Sequence, residues 1–218
     1  MITKKQTPCF LGSLLVVLAL TVSASAATYS GIAYCGVSTS VSMNTPTDST
    51  LAAGEATGTE CATFDTSAIA FSAEAIGASY TLGGFLNSFG AASGITYFNG
   101  FNAASDPNNS LWVFSGTAGF TNGQGFAVTH DDGTEMYVNG TNVLNDPGPT
   151  PPTTTLFTYT GATGNFGFEF IYTECCNGQM DYLTDLAPAI PTPEPSSLLL
   201  LGTGLLGLGT SGRRRYGR

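Results

Sequence analysis

Between residues 67 and 186 the chain alternates short apolar runs with Gly, Asn and Ser, and the apolar positions recur every second residue or in blocks of four or five. That spacing predicts strands, because successive side chains of an extended chain point to opposite faces. "SLWVFSGTAGF" (110–120) and "GFAVTH" (125–130) carry the clearest strand signals. "TEMYVNGTNVL" (134–144) predicts a hairpin turning at Asn139-Gly140, a pair that accepts positive φ at low cost. "TLFTYTGATGNFGFEFIYTE" (155–174) predicts two strands joined by "GATGN", and "GQMDYLTDL" (178–186) a last strand that closes the sheet. "SAIAFSAEAI" (67–76) has helix-like composition, but its Ala, Ile and Phe positions also fit a strand. No long stretch shows a 3.6-residue apolar period. "NAASDPNNS" (102–110) and "NDPGPTPPTTT" (145–155) read as loops, the second because prolines cannot donate to a central ladder. Strands separated by short Gly/Asn turns, without intervening helices, predict an all-β antiparallel sandwich or barrel.

The two ends break this pattern. Residues 1–26 read as a secretory signal: Lys4 and Lys5 precede the apolar "FLGSLLVVLALTV", and Ala24-Ser25-Ala26 offers a small-residue cleavage site. The body then spans 27–187, about 160 residues and enough for one domain with its own core. A Pro-rich linker follows at 188–197, then an apolar Leu/Gly segment at 198–212, then the basic end "RRRYGR" at 213–218. The apolar segment is near the lower length limit for a membrane span, and the arginines would hold its end in the cytoplasm.

Charge sharpens the picture. All six Lys and Arg lie in the terminal segments, while fourteen of the fifteen acids lie between Asp48 and Asp185, so the body carries −14 with no Lys or Arg to pair with. Nucleic acid is excluded as a partner, because binding it depends on neutralising phosphates. A divalent cation would relieve the repulsion; a plain acidic, soluble surface is the alternative. Four cysteines follow the signal: Cys35, Cys61, Cys175 and Cys176. An even number in an exported chain predicts disulfides, with three connectivities open, one of them the adjacent pair Cys175–Cys176.

Candidate chemistry centres on "VTHDDGTEMYVNG" (128–140). Asp131-Asp132-Gly133 has the composition of a tight turn, Asp bonding nearby amides and Gly taking positive φ. It also sets two adjacent carboxylates where no cation balances them. His130 is the chain's single histidine and reads as a turn residue rather than a catalytic base. Glu169 and Glu174 with Asp131 have the residue types of a glycosidase carboxylate pair, but a pair is defined by a separation that spacing does not reveal. Glu169 is expected to face solvent between inward Phe168 and Phe170. Trp112, Tyr137 and Tyr172 could stack on a sugar; "LWVF" reads first as core.

Two resemblances follow from these motifs. Pro193-Glu194-Pro195, the Leu/Gly segment and Arg213-Arg214-Arg215, in that order at the chain end, closely resemble the PEP-CTERM sorting signal. That resemblance implies recognition by exosortase, membrane anchoring through the tail before sorting, and a place at the cell surface or in the biofilm matrix of a Gram-negative bacterium. "FAVTHDDGTEMYVNGTNVL" followed by "TYTGATGNFGFEFIYTECCNG" is similar to PA14-type and GLEYA-type β-sandwiches, with His130 in place of a serine and Asn139 in place of an aspartate. This second resemblance implies a sandwich rather than a barrel. Through the adhesin branch it implies calcium held by Asp131 and Asp132, with Asn177 in the loop after the late strand completing the site. That ion would in turn coordinate sugar hydroxyls, which makes extracellular polysaccharide the expected partner; the single histidine, with no nucleophile elbow or second base, gives no catalytic expectation. A ligand-free matrix component and a polysaccharide-acting enzyme are the competing expectations.

Overall fold

The computed structural model describes residues 28–37, 58–73, 80–90, 92–146, 148–176 and 179–186. The predicted signal, linker, apolar segment and basic end lie outside these residues, and so does Asn177. Among the described residues no helix is long and apolar enough to cross a membrane.

The strands, in chain order, are β1 (Tyr29–Cys35), β2 (Thr59–Thr66), β3 (Ala70–Ser72), β4 (Ala92–Tyr97), β5 (Ser110–Phe120), β6 (Gly125–Asp131), β7 (Thr134–Val138), β8 (Thr141–Asp146), β9 (Thr153–Thr158), β10 (Gly164–Glu174) and β11 (Asp181–Thr184). They form two antiparallel sheets, one ordered β4-β2-β1-β5-β10-β7-β8 and the other β3-β11-β6-β9. The predicted all-β antiparallel sandwich is therefore what the chain adopts. The β7–β8 turn is the expected one, with Asn139 at φ 50° and Gly140 at φ 73°.

Three expectations are corrected. A helix, α1 (Leu82–Asn87), precedes β4. It is only six residues long, too short to leave a periodic signal; Thr81 caps it by accepting a hydrogen bond from the Gly84 amide at 3.0 Å. Of the described residues in 67–76, which end at Ala73, Ala70–Ser72 form a three-residue strand. Asp131-Asp132-Gly133 is not a hairpin turn. β6 belongs to the four-stranded sheet and β7 to the seven-stranded one, so these residues carry the chain from one sheet to the other. Gly133 is not among the positive-φ glycines, because a crossover, unlike a tight hairpin, does not reverse the chain within two residues.

Aromatic rings fill the space between the sheets. Phe71 of β3 stacks on Phe114 of β5 at 5.6 Å between centroids, Phe114 on Tyr182 of β11 at 5.2 Å, and Phe85 of α1 meets Trp112 of β5 at 4.9 Å. All five rings are fully buried. Each contributes roughly 1.5–3 kcal/mol by leaving water, and each pair about 0.5–1.5 kcal/mol more. Trp112 is core, as its sequence context predicts, with its Nε1–H donating to Ser110 Oγ at 2.7 Å. Cys35–Cys61 is a disulfide linking β1 to β2, and Cys175 is bonded to Cys176 just past β10.

The strand register delivers three acids to one corner. β10 pairs with β5 over its whole length and ends at Glu174, opposite Ser110. β7 starts beside it, Thr134 opposite Tyr172. β6 ends at Asp131, which faces Asp181 of β11. The crossover therefore passes directly over the end of β10.

Candidate metal centre

Asp131, Asp132 and Glu174 converge where β6 ends, the chain crosses, and β10 ends. One carboxylate oxygen from each lies within 4.8 Å of the other two. The three are nearly enclosed, with 9%, 3% and 1% of their surface exposed. Asp131 and Asp132 are joined by a cis peptide bond.

The surrounding chain positions each group. Asp132 Oδ2 accepts the Cys175 amide at 2.8 Å and Oδ1 accepts the Thr150 amide at 2.9 Å, so this carboxylate ties the end of β10 and the loop before β9 to the crossover. The backbone of Asp132 is held twice: its amide donates to Thr173 O at 3.2 Å, and its carbonyl meets His130 Nδ1. Glu174 accepts Tyr80 Oη at Oε1 and Tyr172 Oη at Oε2, each at 2.9 Å. Tyr172 also contacts the Asp131 carbonyl. Gly148 brings the loop in: a Cβ there would lie 2.8 Å from the Gly133 nitrogen and 3.0 Å from Asp132 Cβ.

His130 is a strand residue, not a turn residue. It is fully buried in β6, with Nε2 3.1 Å from Thr155 Oγ1 and 3.5 Å from Asp146. It braces the crossover from behind and faces no open cleft. Phe168 and Phe170 point inward as expected, while Glu169 between them is half-buried rather than fully solvent-facing. It sits five residues back along β10 from Glu174, on a strand that rises about 3.3 Å per residue, which removes it from the acid cluster.

Burial governs the electrostatics. Asp131 is pushed up to about 7, first by loss of water and then by the charges of Asp132 and Asp181. Glu174 is pushed up to about 9 by burial, despite the two tyrosine hydroxyls that favour its charged form. Asp132 is also raised by burial, but the Cys175 and Thr150 amides and His130 oppose the shift. Three acids held this way without a cation resist ionisation, and a divalent ion at their centre would reverse that. The donor set suits calcium, which takes six to eight hard oxygens and accepts mono- or bidentate carboxylates.

Of the residues singled out by sequence, the structure brings Asp131 and Asp132 together and adds Glu174, which sequence reasoning weighed only as a catalytic acid. The usable signal was Tyr172-x-Glu174: residues two apart on a strand share a face, so a ring buried toward the crossover carries the acid with it. A concavity of about 440 Å³ opens at the opposite end of β7, lined among others by Val138, Asn142, Thr158, Tyr159 and Phe166, with no charged side chain in its wall.

Residues 191–215 match the PEP-CTERM protein-sorting motif, a stretch that includes Pro193, Glu194, Pro195 and Arg213–Arg215. Among solved structures the fold is similar to a PA14 sugar-binding domain from an RTX adhesin, at 18% identity over 74% of this chain and 91% of that one, with a TM-score of 0.50. A PA14 domain of the MpAFP antifreeze protein aligns at 20% identity over 76% and 93% of the two chains, with a TM-score of 0.49. No curated protein matches the sequence. The body thus has the PA14 fold, and the chain end carries a sorting motif.

Proposed function

We propose that this protein is exported, sorted by an exosortase through its C-terminal motif, and displayed at the surface or in the extracellular matrix of a Gram-negative bacterium, where its PA14-fold domain binds carbohydrate through calcium. The observation that carries this reading is the meeting of Asp131, Asp132 and Glu174 oxygens within 4.8 Å, in a body devoid of Lys and Arg. Asp131, Asp132 and Glu174 would hold the ion, and Asn177, in the loop after β10 and outside the described residues, is the further side-chain donor that the adhesin resemblance suggests. The ion would supply open coordination positions for vicinal sugar hydroxyls. The protein acts by binding and not by catalysis.

Calorimetric titration of calcium chloride into the protein tests the site, with the Asp131→Asn/Asp132→Asn variant as control. Heat that saturates at one ion and vanishes in the variant supports it; no heat from the unsubstituted protein overturns it. A glycan array run with and without chelator then tests the ligand class.

A second reading has its own observation. Both Asp132 oxygens accept backbone amides and both Glu174 oxygens accept tyrosine hydroxyls, so the cluster also serves as a clasp between β6, β10 and the loop before β9. On that reading the domain is a structural matrix component, and the array stays blank with or without calcium.

A further inference from the structure

We propose that the Cys175–Cys176 bond is a redox gate on the cation site: closed, it holds the backbone that positions Asp132 and Glu174, and opened by a dithiol reductant it releases that backbone and weakens calcium binding. The inference rests on the calcium reading above.

Three observations meet here. The Cys175 amide donates to Asp132 Oδ2 at 2.8 Å, and Cys175 directly follows Glu174, so one short segment serves two of the three carboxylates. β10 ends at Glu174, which leaves Cys175 and Cys176 without the ladder that fixes the preceding residues. Cys176 stands at φ 71°, in the left-handed region that a residue with a side chain seldom occupies without constraint. A disulfide between adjacent residues closes a small ring through the intervening peptide and supplies that constraint. Without the ring, Cys176 is free to return to ordinary φ, and the Cys175 amide turns away from Asp132.

The two disulfides also differ in access. Cys35 and Cys61 are sealed in the core at 2% and 0% exposure, whereas Cys176 is exposed beside buried Cys175. The reduction balances as follows. A thiolate of the dithiol attacks Cys176 Sγ, the Cys175–Cys176 bond breaks, and Cys175 leaves as a thiolate that takes up a proton. The second thiol of the reductant then attacks the mixed disulfide, freeing Cys176. Two electrons and two protons have passed to the protein, and the reductant has become a disulfide. Linkage requires the converse: if the closed bond tightens calcium binding, calcium makes the bond harder to reduce by the same factor.

The test titrates calcium chloride into the full chain before and after brief treatment with dithiothreitol, with mass spectrometry confirming that only Cys175 and Cys176 carry new thiols. Calcium affinity is expected to fall at least ten-fold on reduction and to return on reoxidation. The fraction reduced in a fixed dithiothreitol buffer is expected to drop when calcium is added. A second comparison separates backbone conformation from loss of the sulfurs: Cys175→Ala/Cys176→Gly, whose glycine accepts positive φ, should bind calcium more tightly than Cys175→Ala/Cys176→Ala. Equal affinity in oxidised and reduced protein overturns the gate and leaves the calcium site standing. Absence of calcium binding in the oxidised protein overturns both.

Discussion

Tyr172 of β10 stacks on Tyr182 of β11 across the two sheets, ring centroids 4.6 Å apart and planes 18° from parallel. Both rings are fully buried. Tyr182 anchors to Thr134 of β7 through a 2.8 Å hydroxyl contact, and Tyr172 extends its own hydroxyl to Glu174 and the Asp131 carbonyl. The acid cluster is thus built outward from the aromatic core, and its geometry inherits the rigidity of that packing.

Removing only the hydroxyl isolates this link. Tyr172→Phe keeps the stack but leaves Glu174 and the Asp131 carbonyl short of a donor. The domain is expected to lose about 1–3 kcal/mol, the usual penalty for stranding buried polar groups. Urea unfolding followed by the fluorescence of Trp112 measures it. An unchanged midpoint would show that the hydroxyl does not hold the cluster. Tyr172→Ala, which also empties the stack, is expected to cost roughly 3–5 kcal/mol.

The acids predict an inverted pH dependence for the cation-free protein. Asp131 and Glu174 have ordinary values of 3.8 and 4.5 when unfolded and are raised to about 7 and about 9 when folded. Groups raised on folding give stability that is complete below their unfolded values and is lost as pH climbs through their folded ones. In chelator, the melting temperature should therefore fall steadily from pH 5 to pH 9. Calcium should restore it most at the alkaline end, because ionised ligands then have their counter-charge. A melting temperature that rises over that interval in chelator would contradict the electrostatics described for the cluster.

Much of the sandwich was legible because strands declare themselves locally. Phe168-Glu169-Phe170 alternates as a half-buried strand must, and Asn139-Gly140 names its own turn. Sheet membership was not legible. β6 and β7 are three residues apart and read as neighbours, yet they lie in different sheets, since partner choice depends on long-range register that no short window contains. The same blindness hid Glu174. Its relation to Asp131 and Asp132 is created by β10 ending beside the crossover, more than forty residues downstream. The helix α1 escaped because six residues span under two turns and show no period.

Asp131 should show a conflict between stability and binding. In chelator its charge faces Asp132 and Asp181, so Asp131→Asn removes repulsion at nearly constant shape. The variant is expected to melt at a higher temperature than the unsubstituted protein without calcium. It should also gain no further stabilisation when calcium is added, since an amide is a poor replacement for a ligating carboxylate. Scanning calorimetry with and without the ion reads both effects. A variant that is destabilised in chelator would mean that the Asp131 carboxylate is serving the clasp instead.

Gly148 offers a probe of the loop that carries Thr150. Any side chain at this position must displace backbone, because the added Cβ would meet the Gly133 nitrogen at 2.8 Å and Asp132 Cβ at 3.0 Å. Gly148→Ala should therefore push the loop off the crossover and lengthen the 2.9 Å bond from the Thr150 amide to Asp132. The expected cost is about 1–3 kcal/mol, as for other overpacked contacts. Gly125→Ala in β6 is the matched control, since a Cβ there meets nothing within 4 Å and its φ is not positive; it should stay within about 0.5 kcal/mol of the parent. Guanidinium unfolding of the three proteins gives these differences. Calcium titration then adds the functional reading: Gly148→Ala should bind the ion several-fold more weakly, because Asp132 loses one of the two amides that aim it, while Gly125→Ala binds as before. Equal affinities in all three would show that the loop seals the crossover without orienting its carboxylate.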